Sequence, residues 1–431
     1  MPDLQPRSPV PRPVRPDRIE ADYLLETPID PRRAAEIMAG EQSSGTFVPV
    51  PGETPELKAR AAARVEALEV IASDLTCRSL PSSTGEWGGE RISRAHVTLS
   101  WPLANLGPSL PNLLSTIAGN LFELAAVSGL RLLDIRLPDA FAAAYPGPAF
   151  GIEGTRRLTG IEGRPLIGTI VKPSVGLGAE ETAALVHELC EGGIDFIKDD
   201  ELQADAPSCP FEARVRAVMR VIDRHADRTG KKVMYAFNLT GDLDQMRRRR
   251  ELLLAHGATC MMASLNAIGL AAFVELRREG GLPIHAHRCG WGQLSRHPLL
   301  GWSYVAWQKI WRLAGADHMH VNGLRNKFSE TDESVIVSAR ACLTPMWEHK
   351  PCTVLPVFSS GQSVRQVHGT WAALSSPDLL MTAGGGIMAH PDGPGAGVRS
   401  LRGAWEAAMA GIPLEEHARQ HPDLRRALAI A

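Results

Sequence analysis

Apolar and polar positions along this chain follow two different rhythms. From about Ile19 to Pro146 the pattern is mixed. Residues 23–29 (YLLETPI), 96–103 (HVTLSWPL) and 130–138 (LRLLDIRLP) read as strands, whereas residues 56–72 and 110–125 read as helices. Strands and helices without strict alternation predict a small α+β domain of ferredoxin-like type over residues 19–147. After Gly147 short apolar runs recur about every 25 to 35 residues, each followed by a helix-like segment. The runs are residues 165–176, 194–201, 232–241, 259–269, 282–292, 316–323, 353–362 and 379–387. Between the second and third, FEARVRAVMRVIDRHADR keeps Phe211, Val215, Val218, Met219 and Ile222 on one helical face. Eight such units in about 240 residues predict a (β/α)8 TIM barrel over residues 148–410, followed by a helical tail over 411–431. The polar residues of the runs gather at their C-terminal ends, where barrels of this class build their chemistry. Lys172, Lys198 to Glu201, Asn238, Asn266, His287, Arg288, His320, Ser359 and Gly384 to Gly386 all sit there.

The bulk numbers narrow the functional classes. A chain of 431 residues with 44% hydrophobic and 22% charged residues has room for two domains and a large core. A net charge of −2 implies no general attraction to nucleic acid or an acidic membrane. No run approaches the ~18 apolar residues of a membrane span. The lead MPDLQPRSPVPRPVRPD has six prolines and no apolar core, so residues 1–18 read as a disordered Pro-rich lead, not a signal peptide. Seven scattered cysteines without a CxxC pair point to neither a zinc knuckle nor a disulfide framework and fit a reducing cytoplasm.

One stretch carries most of the chemistry. DFIKDDE, residues 195–201, places an apolar strand directly before one lysine and three carboxylates. In an extended chain Lys198 and Asp200 point the same way, and Glu201 can turn in where the strand ends. Two carboxylates suit a hard, oxygen-seeking cation such as Mg2+. A lysine among them makes sense as a ligand once it has reacted with CO2 to give a carbamate. The competing reading is a solvated charge cluster at a strand end, and the position on a barrel strand favours the site.

GGIDFIKDDE resembles the GGxDFxKDDE signature of the RuBisCO superfamily, and other motifs follow it in order. GTIVKPSVGL (168–177) is similar to GxxxKPKxGL, PIHAHR (283–288) to LHIHR, and the segment ending at Lys327 to GDHIHxGxxxGK. LPVFSSG (355–361) resembles LPVxSGG, and Gly384 to Gly386 with His390 and Pro391 resembles GGGxxxHP. In the N-terminal part, EQSSGT (41–46) resembles ESSTGT and TIAGN (116–120) resembles SIVGN. The resemblance spans about residues 20 to 410.

It implies roles residue by residue. Lys198 would be carbamylated and, with Asp200 and Glu201, hold Mg2+, which stabilises an enediolate. Lys172 would be an acid/base whose pKa, ordinarily near ~10.4, neighbouring cations and burial would lower. His287 would be a further acid/base or a ligand of a substrate hydroxyl. Arg288, His320 and Ser359 would hold one phosphate; Gly361, Gly384, Gly385 and Thr46 would hold a second through backbone N–H groups. Lys327 would ride a mobile loop over the substrate. Glu41 and Asn120 would reach in from a neighbouring subunit, making the working unit a homodimer or dimer-based oligomer.

The departures point away from CO2 fixation. Ser174 replaces the second lysine of KPK, Ile170 a threonine, Phe47 a tryptophan, Phe328 a leucine and Ser360 a glycine. Enolising parts survive while carboxylating parts are altered, so the expectation is a RuBisCO-like protein acting on a mono-phosphorylated keto-sugar or keto-acid. The favoured reaction is decarboxylation, or hydrolytic decarboxylation, of 3-oxo-isoapionate 4-phosphate in apiose-type catabolism. Isomerisation of 5-methylthioribulose 1-phosphate and a diketo-phosphate enolase of methionine salvage are the alternatives, with a non-catalytic relic as the reading from another class. The pairs His285/His287 and His318/His320 also suit a binuclear hydrolase, but they end the fifth and sixth strands, so His285 and His318 read as packed. Arg247 to Arg250 read as a solvated helix face and Cys289 as a passive small residue.

Overall fold

The computed structural model describes residues 14–45, 50–81 and 88–429. The chain divides into two compact units, one of residues 1–145 with 290–313, the other of residues 146–289 with 314–431.

The first unit is built on a five-stranded sheet. Its strands are β1 (Arg18–Thr27), β2 (Arg64–Cys77), β3 (Gly88–Pro102), β4 (Gly129–Arg136) and, from the later segment, β10 (Leu300–Trp302), in the spatial order β10-β4-β1-β3-β2. β1 is central and buried along its whole length, and its buried carboxylates are paired, Glu20 and Asp22 with Arg136 and Glu26 with Arg94. Two helices predicted here come out shorter. The helix expected over residues 56–72 covers only Pro55–Ala61, and the remainder is β2. Thr54 caps this helix through the Leu57 N–H at 3.2 Å, and Ala62 then turns extended. Val65, Val70 and Ile71 are β-branched, and pairing with β3, for example Leu68 opposite Val97, outweighs a helical pattern of this strength. The helix expected over 110–125 stops at Ile117 and is followed by a 3-10 turn, Leu121–Glu123. Ala118 leaves the helical conformation, at φ −125° and ψ −40°, and only glycine fits at 119, where a Cβ would lie 2.3 Å from the Ser115 carbonyl oxygen.

The second unit is a closed parallel barrel. The strands are β5 (Leu166–Ile170), β6 (Phe196–Lys198), β7 (Met234–Asn238), β8 (Cys260–Ser264), β9 (Ile284–His287), β11 (His318–His320), β12 (Leu355–Phe358) and β13 (Leu380–Thr382). They close in the order β11-β12-β13-β5-β6-β7-β8-β9. Each lies inside one of the eight apolar runs read from the sequence. Leu166, Phe196, Met234, Cys260, Leu355 and Leu380 pack inside the barrel. The helix Phe211–Thr229 buries the five apolar residues predicted for its inner face, together with Arg214, and ends at Gly230 in the left-handed conformation. Among the described residues no helix is long and apolar enough to cross a membrane.

Candidate active site

The four carboxylates of DFIKDDE divide between scaffold and mouth. Asp195 precedes β6 and is buried. Its carboxylate accepts from both ends of the Arg164 guanidinium (2.6 and 3.0 Å), from Lys231 Nζ (2.6 Å) and from the Ile167 N–H (2.9 Å). Asp199 is buried as well and accepts from the Tyr235 hydroxyl (2.6 Å), the Asn238 N–H (2.8 Å) and Arg214 Nε (3.2 Å). These two hold the barrel together, a role the charge pattern alone does not reveal. Only Asp200 and Glu201 are left for the mouth. Asn238 fixes the backbone there by donating to the carbonyl oxygens of both, each at 3.2 Å.

Lys198 ends β6 and is only 1% exposed. Its Nζ donates to the Asp199 carbonyl (2.8 Å) and lies 3.8 Å from Glu201 Oε2. Burial drives its pKa below the usual lysine range, and the charge of Lys172 acts the same way against Glu201, Asp200 and Asp199. Lys172, two residues beyond β5, donates to Asp200 Oδ2 at 2.6 Å and to Ser174 Oγ at 2.7 Å. Burial alone would raise the Asp200 pKa. The hydrogen bond from Lys172, helped by the Leu202 N–H and the charges of both lysines, instead holds it below the usual carboxylate range.

His287 ends β9, with Nε2 3.5 Å from Glu201 Oε2. Its Nδ1 accepts the Cys289 N–H at 3.2 Å, so the neutral ring carries its proton on Nε2, toward Glu201. Burial first, then the charges of Lys198, Arg288 and Lys172, push its pKa well below the ordinary histidine value. His320, ending β11, places Nδ1 3.0 Å from Ser359 Oγ and Nε2 2.7 Å from His285 Nε2. Its pKa too is pushed well down, mainly by burial. His285 and His318 are fully buried, and His318 Nε2 meets Thr155 Oγ1 at 2.7 Å. They pack behind the site, as the sequence reading expects.

The structure brings His320 and Ser359 together. Arg288, whose charge acts on both His287 and His320, is engaged by Glu330, which the sequence reading did not single out. Lys327 lies beside Gly361: a Cβ on that glycine, at φ +78°, would stand 3.6 Å from the Lys327 nitrogen. A Cβ on Gly384 would contact the Lys172 chain at 3.6 Å, and Gly385 faces open space. Glu41 and Asn120 meet in the N-terminal unit at 3.4 Å. Thr46 and Phe47 lie outside the described residues. Of the four arginines read as a solvated helix face only Arg248 is exposed: Arg247 pairs with Glu275 and Glu279, and Arg249 and Arg250 are largely covered and donate to the carbonyls of Thr240 and Gly280.

Among the described residues no three His, Cys, Asp or Glu side chains converge as a ready metal-ligand set. Two carboxylates, Asp200 and Glu201, flank a buried lysine whose pKa burial lowers. That donor set would fit a hard divalent ion if Lys198 supplied a third anionic oxygen as a carbamate.

A parallel barrel whose C-terminal rim gathers a buried lysine, two carboxylates, a second lysine and a neutral histidine defines an acid–base enzyme of the (β/α)8 class. The chain belongs to the RuBisCO large-chain family. Residues 151–430 match the ribulose bisphosphate carboxylase large chain catalytic domain, and residues 21–141 match its N-terminal domain. It is 60% identical, over 96% of this chain and 99% of the relative, to a 3-oxo-isoapionate-4-phosphate transcarboxylase/hydrolase of Xanthobacter autotrophicus. It is 44% identical, over 95% and 98%, to a 3-oxo-isoapionate-4-phosphate decarboxylase of Rhizobium etli. The crystal structure of a rubisco-like protein from Burkholderia fungorum superposes with a TM-score of 0.90 at 50% identity, covering 96% of this chain and all of that one. The chain is a RuBisCO-like protein and not a true carboxylase.

Proposed function

We propose that this enzyme breaks the carbon–carbon bond to the carboxylate of the β-keto acid 3-oxo-isoapionate 4-phosphate. The carrying observation is the clasp of Lys172 on Asp200 beside Lys198, Glu201 and His287, in a chain 60% identical to an enzyme named for that substrate. Lys198 would add CO2 through its neutral amine, forming an N–C bond and losing a proton, and with Asp200 and Glu201 would hold Mg2+. When bound, that ion supplies charge stabilisation to an oxygen of the substrate. Heterolysis of the C–C bond leaves its electron pair as an enolate and frees CO2. Lys172, held between Asp200 and Ser174, is the acid that protonates the enolate. His287 is neutral and offers an Nε2–H to a substrate oxygen. Arg288, His320 and Ser359 would bind the phosphate.

CO2 then either leaves or is captured again by the enolate at another carbon before hydrolysis. The higher identity to the transcarboxylase/hydrolase, against 44% to the decarboxylase, favours retention and hydrolytic cleavage. The working unit is a dimer in which Glu41 and Asn120 serve the neighbouring barrel. Scattered cysteines without a CxxC pair suit the cytoplasm.

Incubation of the protein with Mg2+, bicarbonate and 3-oxo-isoapionate 4-phosphate in D2O, followed by NMR and CO2 trapping, tests this. Two fragments that together keep every carbon indicate transcarboxylation and hydrolysis. CO2 release with deuterium in the product indicates simple decarboxylation. An inert β-keto acid together with turnover of 5-methylthioribulose 1-phosphate would overturn the assignment.

A further inference from the structure

Glu330 lies three residues beyond Lys327, on the loop that follows β11 and leads into the helix Asp332–Leu343. Its Oε2 accepts from Arg288 Nη2 and from Asn322 Nδ2, both at 2.7 Å, and its Oε1 accepts from Ser334 Oγ at 2.8 Å. The Glu330 side chain is 15% exposed and that of Arg288 7%. Asn326 ties the loop backbone by donating to the carbonyls of Gly323 (2.9 Å) and Glu330 (3.2 Å).

Asn322 and Ser360 both stand where the motifs this chain resembles have glycine, and both keep a glycine-like backbone, φ +65° and +69°. A side chain at such a φ costs free energy, so a compensating contact is expected. It is present: Ser360 Oγ donates to Asn322 Oδ1 at 2.8 Å. That bond turns the amide so that its NH2 faces Glu330. The two added side chains thus hold a carboxylate against the arginine assigned to the phosphate.

We propose that Glu330 is an internal stand-in for the ligand's oxyanion. It occupies the donors of Arg288 and Asn322 in the free enzyme and is displaced when a phosphate monoester binds. A phosphate and a carboxylate compete for the same Nη2 and Nδ2 hydrogens and repel each other, so arrival of the phosphate releases the segment that carries Lys327. Binding of the correct phosphorylated substrate is thereby coupled to movement of the loop, and small anions that cannot displace Glu330 leave the loop latched. The inference rests on the assignment of Arg288 to phosphate binding.

Its sign makes it testable. Calorimetric titration of the full-length protein with inorganic phosphate is compared between wild type, Glu330→Gln and the double variant Glu330→Gln/Arg288→Gln. Removing the competing charge should tighten phosphate roughly ten-fold, the scale of one charge-assisted hydrogen bond. The gain should vanish without Arg288. Unchanged or weaker binding in Glu330→Gln overturns the proposal, because Glu330 then only orients Arg288. Tightening that survives loss of Arg288 overturns it too. Turnover of 3-oxo-isoapionate 4-phosphate by the wild type, measured in parallel, separates these failures from failure of the assigned reaction.

Discussion

The Nζ of Lys172 lies 2.6 Å from Oδ2 of Asp200. The lysine that would deliver the proton is therefore clamped by one of the carboxylates that would hold the ion. Lys172→Met should lower kcat by about 10²- to 10⁴-fold, the usual worth of a positioned acid. It also frees Asp200, so Mg2+ affinity should hold or improve. Calorimetric titration of Mg2+ beside steady-state kinetics checks both. A parallel loss of metal affinity would mean that Lys172 organises the site and is not its acid.

Lys198 is buried and its charged form is disfavoured by that burial. Preincubation with bicarbonate and Mg2+ should activate the wild type, and Lys198→Ala should lose both the activity and the response. Lys198→Ala with full, bicarbonate-independent turnover would sink the carbamate.

Asp195 predicts a stability effect separate from catalysis. Burial would raise its pKa, but the Arg164 hydrogen bond and the charges of Lys231 and Arg164 hold it below the usual range. A depressed folded-state value contributes stability above the unfolded aspartate value of ~3.9, and that stability is lost as pH falls through the lower folded value. Asp195→Asn leaves Arg164 and Lys231 without their shared partner and should cost about 3 kcal/mol in chemical denaturation near neutral pH. The difference from wild type should shrink below about pH 4. Protein that remains folded should keep normal kcat, because Asp195 touches no mouth residue named above.

Glu41 and Asn120 pair in the N-terminal unit, and the proposed dimer has them serve the partner's barrel. Glu41→Ala and Lys172→Met should each be inactive alone. Co-expressed, they should recover about a quarter of wild-type activity, since half of the dimers are mixed and each mixed dimer keeps one intact site. Absence of any recovery would place Glu41 in service of its own barrel.

The barrel was legible because each strand is a short apolar run closed by polar residues, a pattern local enough to survive in one dimension. The same holds for Lys198, Asp200, Glu201 and Lys172, which sit at strand ends within a few residues of recognisable motifs. Residues 64–77 were not legible, because a strand pairing with β3 competes with a helical pattern and only the sheet decides the contest. The division of labour within DFIKDDE was hidden for a similar reason. Asp195 and Asp199 become scaffold only through Arg164, Lys231, Arg214 and Tyr235, which arrive from other elements. Glu330 carries no local signal at all: its meaning comes from Arg288, 42 residues away in the chain and 2.7 Å away in space. Sequence by itself determined the eightfold repeat and the residues at its rim, because hydrophobic periodicity and strand-end chemistry are local. Tertiary structure alone decided which charges pair with which, because a buried charge is defined by the partners that folding brings to it.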